Sequence, residues 1–117
     1  MDNSVIENKS FAFSIRIVKT YQYITKEKNE YVLSKQLLRS GTSIGANVSE
    51  GECAQSKADF YAKMSIALKE ASETRYWLRL LAGTNYLSTE QFESLEKDIK
   101  EIIAILTAIC KKTQNSL

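Results

Sequence analysis

The sequence contains no proline, and its apolar residues recur at steps of three and four rather than two. Proline ends or kinks helices, so its absence leaves long helices unbroken, and steps of three and four keep apolar side chains on one side of a helix. The chain is therefore predicted to be all-α. Its 117 residues are enough for one hydrophobic core, which predicts a single domain over residues 1–117.

Polar turns and capping residues divide the chain into four predicted helices. Ser56 and Ser88 each begin a capping pattern, Gly83 is a typical helix stop, and the polar run Lys26–Glu30 indicates a turn. Short loops favour antiparallel neighbours, and the apolar spacing near the C-terminus favours left-handed supercoiling. The predicted fold is an up-down-up-down antiparallel four-helix bundle, left-handed. Its helices span about residues 5–27, 31–52, 56–82 and 88–112.

The stretch LLRSGTSIGANVSEG, Leu37 to Gly51, holds three of the four glycines. Gly41, Ser43 and Gly45 match the GxSxG pattern of a nucleophile elbow. That chemistry needs a strand before the serine and a base beside it, and this chain has no strand signal there and no histidine. Phosphate-loop motifs are also missing. We therefore predict a helix whose small residues let the third helix approach closely.

A polar stripe runs beside these small residues at helical spacing. Its members are Arg39, Ser43, Asn47 and Glu50. Two interpretations remain open. The stripe is a solvated face, or it makes hydrogen bonds to neighbouring helices or subunits, with Glu73 and Arg75 as candidate partners.

The first helix has more apolar surface than one core stripe requires. At helical spacing, Phe11 and Ile15 fall on one side, nearly opposite a second apolar set. Two apolar faces on one helix indicate a subunit interface. The residues predicted to form it are Phe13, Ile17, Ile24, Ile66, Trp77 and Leu80.

Composition argues against several classes of function. The absence of histidine removes the commonest general base and metal ligand, and Cys53 and Cys110 are too few for a zinc site or a disulfide framework. No apolar run is long enough for a membrane helix, and the N-terminus does not resemble a signal peptide. We expect a cytoplasmic protein without membrane contact, catalytic residues, cofactor or metal.

Two segments, LLRSGTSIGANVSEGE and DFYAKMSIALKEASETRYWLRLL, resemble the bacterial four-helix-bundle proteins of the 23S rRNA intervening-sequence type, also called S23 ribosomal proteins. The resemblance implies a homo-oligomeric ring, a pentamer. It also implies kinship with the accessory variability determinant of diversity-generating retroelements, a basic barrel that works with a reverse transcriptase and nucleic acid. The residues that carry the resemblance are Arg39, Ser40, Ser43, Ile44, Asn47, Glu50, Gly51, Phe60, Ala67, Glu70, Glu73 and Leu78.

The net charge of +2 does not by itself indicate a nucleic-acid partner. Basic residues gather near one end of the predicted bundle, where Glu27, Glu30, Glu90 and Glu93 partly offset them. The leading hypothesis is a non-enzymatic, ring-forming protein that binds RNA or DNA weakly as an accessory or scaffold factor. The alternative is a protein-interaction or assembly module that has a protein partner and no nucleic-acid role. The candidate nucleic-acid contacts are Lys26, Lys28, Lys35, Arg75 and Arg79.

Overall fold

The computed structural model describes residues 4–117 and consists of four helices. They are α1 (Ser4–Lys28), α2 (Leu33–Glu52), α3 (Lys57–Gly83) and α4 (Thr89–Asn115). Every boundary lies within three residues of its predicted position. Residues 4–117 contain no strand, so the all-α prediction is confirmed.

Consecutive helices pack against each other, and α1 also contacts α4, which closes a bundle. Within the described range, no contact joins α1 to α3 or α2 to α4, so these pairs lie diagonally across the core. The molecule is elongated, with extents of 46, 20 and 19 Å. The packing is that of an all-α bundle, while the up-down order and the left-handed sense stay predictions.

Both predicted serine caps are present. Ser88 Oγ accepts the Gln91 backbone N–H at 3.1 Å, and the Gln91 side chain accepts the Ser88 N–H at 2.8 Å, which completes a capping box. At the start of α3, Ser56 Oγ accepts the Asp59 N–H at 3.0 Å. These bonds satisfy backbone donors that lack partners in the first turn of a helix.

The start of α2 is capped by the preceding turn. Its N-cap residue, Val32, offers no polar side chain, and the Glu30 carboxylate accepts the N–H groups of Val32, Leu33 and Ser34 at 3.0, 2.8 and 2.8 Å. Partial burial alone would raise the pKa of Glu30. The three backbone donors and the Ser34 hydroxyl nevertheless hold that pKa below its ordinary value. The turn before α2 therefore determines where that helix begins.

The end of α3 differs in detail from the predicted glycine stop. Gly83 is the last helical residue, but the residue in the left-handed conformation is Asn85, with φ 68°. Its N–H donates to the Ala82 carbonyl at 3.1 Å, and the Tyr86 N–H donates to the Leu81 carbonyl at 2.9 Å. These are the two bonds of a Schellman motif, and asparagine tolerates the conformation that the motif requires.

The hydrophobic core includes residues that we predicted to form a subunit interface. Phe13, Ile17 and Ile24 are at most 2% exposed and lie inside the monomer, so their assignment to an interface is wrong. Helical spacing alone cannot decide which of two opposite apolar faces turns inward, and packing against α2 decides it here. Core residues from the other helices include Leu37, Ile44, Met64, Leu78, Ile99 and Leu106.

The glycines of α2 explain why the face of α1 that carries Phe13 and Ile17 turns inward. A Cβ atom on Gly41 would lie 2.8 Å from two side-chain carbons of Ile17, and one on Gly45 would lie 3.3 Å from the Ser10 carbonyl oxygen. These two glycines therefore admit α1, and the prediction that Gly41 faces α3 is wrong. Gly51 does face α3.

Candidate functional site

The Arg39 guanidinium joins α2 to α3 at the surface of the bundle. It pairs with Glu70 at 3.0 Å and with Glu73, and Trp77 Nε1 donates to the same Glu73 carboxylate at 3.0 Å. The Arg39 side chain is 49% exposed, so the stripe is both solvated and hydrogen-bonded at this point. Glu73 is the predicted partner. Glu70 was missed, although it lies one turn away on the same side of α3.

The other members of the polar stripe bond mainly within α2. Ser43 Oγ donates to the Arg39 carbonyl at 2.6 Å, and Asn47 Nδ2 donates to the Ser43 carbonyl at 2.8 Å. Glu50 is exposed and lies 3.7 Å from Lys63 of α3. Only Arg39 and Glu50, at the two ends of the stripe, therefore reach α3. Arg75, the other candidate partner, bonds elsewhere.

A second link between α2 and α3 lies inside the core. The Thr74 hydroxyl lies 3.0 Å from Ser40 Oγ and 2.8 Å from the Glu70 carbonyl, and both hydroxyl-bearing residues are fully buried. Sequence reasoning treated these small residues as space for close packing and missed their hydrogen bond. Polar side chains on a buried stripe are the signal that could have indicated it.

The predicted basic residues divide into paired and unpaired groups. Arg75 Nε lies 3.3 Å from Glu96 Oε2, so α4 engages its charge. The remaining members make no ion pair with any residue of the described range, and all are exposed: Lys26, Lys28, Lys35 and Arg79. The three lysines flank the α1–α2 turn, residues 29–32, whereas Arg79 lies on α3 one turn after Arg75.

Lysines and arginines without an ion pair also occur along the rest of the chain. Six of the 16 lysines and arginines form ion pairs, which leaves ten with no such partner among residues 4–117. The same pairs engage six carboxylates, while Glu30 and Asp59 accept backbone N–H groups. Ten cations and eight carboxylates therefore lie outside these ion pairs, a difference that equals the net charge of +2.

The α1–α2 turn also presents two apolar side chains to solvent. Tyr31 is 59% exposed and Val32 is 72% exposed, and the Tyr31 hydroxyl donates to Asn29 Oδ1 at 3.2 Å. Sequence reasoning placed the polar turn at Lys26–Glu30 and assigned Tyr31 and Val32 to the second helix, which begins at Leu33. The adjacent Tyr and Val directly after the polar turn are the signal that was overlooked.

The side of α1 that points away from the core is apolar. This outer α1 face consists of Phe11, Ile15 and Val18, of which Phe11 is 68% exposed. Beside Phe11, a groove of about 430 Å³ runs between α1 and α2 and is lined in part by Gly45.

A second partly apolar surface lies on the diagonal helix. This outer α3 face consists of Ile66, which is exposed, with Trp77 and Leu80, which are half-buried. All three belong to the predicted interface, and the structure leaves them accessible at the surface of the monomer.

Polar side chains bridge the junction of α1 with α4. A cleft of about 510 Å³ lies there, and Arg16 crosses the seam to pair with Asp98 and to donate to Ser94 Oγ at 2.8 Å. Lys9 forms a further pair with Glu101. Because these polar groups bond to one another across the seam, we assign them a structural role.

Residues 2–108 match the family model described as the 23S rRNA-intervening sequence protein. The chain belongs to the 23S rRNA-intervening sequence protein family. It is similar to the crystal structure of a protein of unknown function from the S23 ribosomal protein family of Bacteroides thetaiotaomicron, with 54% identity and a TM-score of 0.89. That match covers 91% of this chain and 98% of the other. No curated protein matches.

Two side chains that could suggest catalysis, Ser43 and Cys110, are constrained by their surroundings. Ser43 of the GxSxG pattern donates its proton to a backbone carbonyl, and burial raises the pKa of the Cys110 thiol. Within residues 4–117, no three Cys, Asp or Glu side chains form a group that could hold a metal ion. No helix in that range is long and apolar enough to cross a membrane.

Proposed function

We propose that this chain is a non-enzymatic protein of the bacterial cytoplasm that forms a homo-oligomeric ring and binds RNA or DNA weakly, as an accessory or scaffold factor. The observation that carries this proposal is the set of unpaired lysines around the α1–α2 turn. Lys26, Lys28 and Lys35 can contact phosphates without giving up an internal ion pair.

The two outer faces support assembly into a ring. They differ in composition and lie on diagonal helices, so the outer α1 face of one copy can pack against the outer α3 face of the next. Contacts between unlike faces repeat around an axis and close into a ring when the rotation permits. In a pentamer, as the family resemblance implies, five copies of +2 carry +10, and weak phosphate contacts add along one polyanion.

The test is light scattering after size exclusion, with and without a structured RNA, followed by RNA titrations at about 50 and about 200 mM salt. The informative variant is Lys26→Gln/Lys28→Gln/Lys35→Gln. Its matched control is Lys57→Gln/Lys111→Gln/Lys112→Gln, which removes three exposed, unpaired lysines from the other end of the bundle.

The expected result is a ring that binds RNA, releases it as salt rises, and loses more affinity in the first variant than in the control. Each phosphate contact removed should lower the slope of log affinity against log salt by about 1. A monomer would contradict the ring, and a ring that ignores RNA at low salt would contradict nucleic-acid binding. Equal losses in both variants would contradict the location at the α1–α2 turn.

A protein-interaction or assembly module without a nucleic-acid role is the second candidate. It is favoured by the exposure of Phe11 and its neighbours, because a contiguous apolar patch on a small protein commonly marks a protein contact. A ring that ignores RNA would support this function, and salt-dependent RNA binding would favour the first.

A further inference from the structure

The α1–α2 turn combines an exposed aromatic ring with unpaired cations. We propose that Tyr31 stacks on an unpaired base, so that this turn prefers single-stranded nucleic acid over a duplex. The inference rests on the proposed nucleic-acid function and adds the class of ligand and the residue that selects it. Its starting point is the 59% exposure of Tyr31 between Lys28 and Lys35.

The backbone of the turn holds the ring in place. Asn29 adopts the left-handed conformation with φ 53°, and the Glu30 N–H donates to the Ile24 carbonyl at 3.4 Å. On the other side of Tyr31, the Glu30 carboxylate binds three N–H groups at the start of α2, and the Tyr31 hydroxyl bonds to Asn29. The backbone bonds on both sides of Tyr31 fix the position from which the ring projects, with or without the hydroxyl, so less conformational freedom is lost on binding.

The charge around the ring suits a polyanion. Two carboxylates, Glu27 and Glu30, lie between Lys26 and Lys35 in the sequence. Both oxygens of Glu30 are directed at the α2 backbone. Glu27 is exposed and is the remaining acidic group of the segment. Lys26, Lys28 and Lys35 outnumber it, so a backbone phosphate near Tyr31 has several cations within reach of the same turn.

The ring indicates a single strand, because its flat face can contact a base only where that base is not already stacked in a duplex. A duplex would offer the lysines its phosphates but would leave Tyr31 without a partner. A membrane surface is less well matched. Tyr31 and Val32 are the only exposed large apolar side chains of this turn, and stable anchoring in lipid requires a larger buried surface.

The experiment compares labelled single-stranded and duplex oligonucleotides of the same sequence in anisotropy titrations of the full chain. Tyr31→Leu removes the aromatic ring, Tyr31→Phe keeps it, and Tyr76→Leu is the control at another exposed tyrosine. Circular dichroism checks that each variant folds. We expect Tyr31→Leu to lose about fivefold or more in single-strand affinity, with little change for the duplex, while Tyr31→Phe and Tyr76→Leu stay near wild type.

A Glu27→Gln variant provides an independent test of position. Removing this carboxylate should strengthen binding of both oligonucleotides if their phosphates lie at the α1–α2 turn. Unchanged affinity for both would overturn the location.

Four other outcomes would overturn the inference. Equal single-strand affinity for Tyr31→Leu and wild type would overturn stacking but leave the proposed function intact, and so would an equal loss in Tyr31→Phe. If wild type binds neither oligonucleotide, the proposed function fails as well. Binding to vesicles of mixed phosphatidylcholine and phosphatidylserine, without binding to either oligonucleotide, would assign the turn to membranes instead.

Discussion

At the scale of single residues, glycines of the same helical conformation have unlike surroundings. A Cβ atom on Gly41 would meet Ile17 at 2.8 Å, whereas one on Gly83 would meet nothing within 4 Å. Ile17 is β-branched and buried, so its side chain has little freedom to move aside. The cost of adding a methyl group therefore depends on position, although helix propensity favours alanine at both sites.

We expect Gly41→Ala to lower the free energy of unfolding by about 1 to 3 kcal/mol, because the overpacked core must shift. The matched variant Gly83→Ala should raise it by up to about 1 kcal/mol, because the backbone of alanine is less free in the unfolded chain. Urea unfolding at one protein concentration measures both. Stabilisation by Gly41→Ala would contradict the close contact of α1 with α2.

The Glu30 cap should make stability depend on pH. Its pKa is lower in the folded chain, so its contribution is present above the unfolded pKa and is lost as pH falls through the folded pKa. Glu30→Gln resembles the protonated side chain and should cost up to about 1 kcal/mol at neutral pH. The difference from wild type should disappear in acid, as measured by urea unfolding across pH.

Glu27→Gln is the control for this cap. Its carboxylate lies near the negative end of the α1 dipole, so its removal should be neutral or slightly stabilising. A loss of stability in Glu27→Gln equal to that in Glu30→Gln would show that general charge, rather than the cap, is responsible.

At the scale of helices, α2 and α3 are joined by two kinds of bond. The Arg39 pairs lie at the surface, where water and salt weaken them, while the contact between Ser40 and Thr74 lies in the core. Substitutions at the two places are therefore distinguished by how their cost in unfolding free energy changes with salt, rather than by the size of that cost.

Arg39→Ala is expected to cost about 1 kcal/mol or less, and the loss should shrink as salt rises. Thr74→Val keeps the shape of the side chain but removes a buried hydroxyl, so it should cost about 1 to 2 kcal/mol at any salt concentration. Urea unfolding at low and high salt distinguishes these outcomes. If Arg39→Ala changed nothing, the bridge between α2 and α3 would have no structural role.

Much of the helical arrangement could be predicted from the sequence. Apolar spacing and the serine caps place all four helices, because both signals are local. The rotation of α1 could not be predicted, because Phe11 and Phe13 begin two equally apolar faces and only packing against Gly41 selects between them. The capping role of Glu30 was missed because it lies two residues before the N-cap, outside the usual capping pattern.

At the scale of the whole molecule, the diagonal positions of α1 and α3 determine what kind of assembly the apolar faces can form. If unlike faces meet, a substitution on either one breaks every contact in the ring, yet each variant keeps one intact face. If each face instead met its own kind on a second copy, a variant with one substituted face could still dimerise through its intact face.

We expect Phe11→Gln/Ile15→Gln and Ile66→Gln/Leu80→Gln each to give monomers in light scattering. An equimolar mixture of the two variants should form heterodimers and nothing larger, since only one pair of intact faces can meet. Trp77, the single tryptophan, lies on the outer α3 face and should report this contact by fluorescence. A full ring from either variant would contradict the assignment of its face.

The Glu30 cap has a consequence for insertions. The carboxylate reaches forward over two to four residues, so one extra residue between Glu30 and Leu33 would separate it from the amides it binds. A peptide tag added after Ala54 would instead leave the Ser56 cap of α3 intact, because that bond lies entirely downstream. The connection between α2 and α3 is therefore the place to add a reporter, whereas relatives of this protein should keep the length of the α1–α2 turn unchanged.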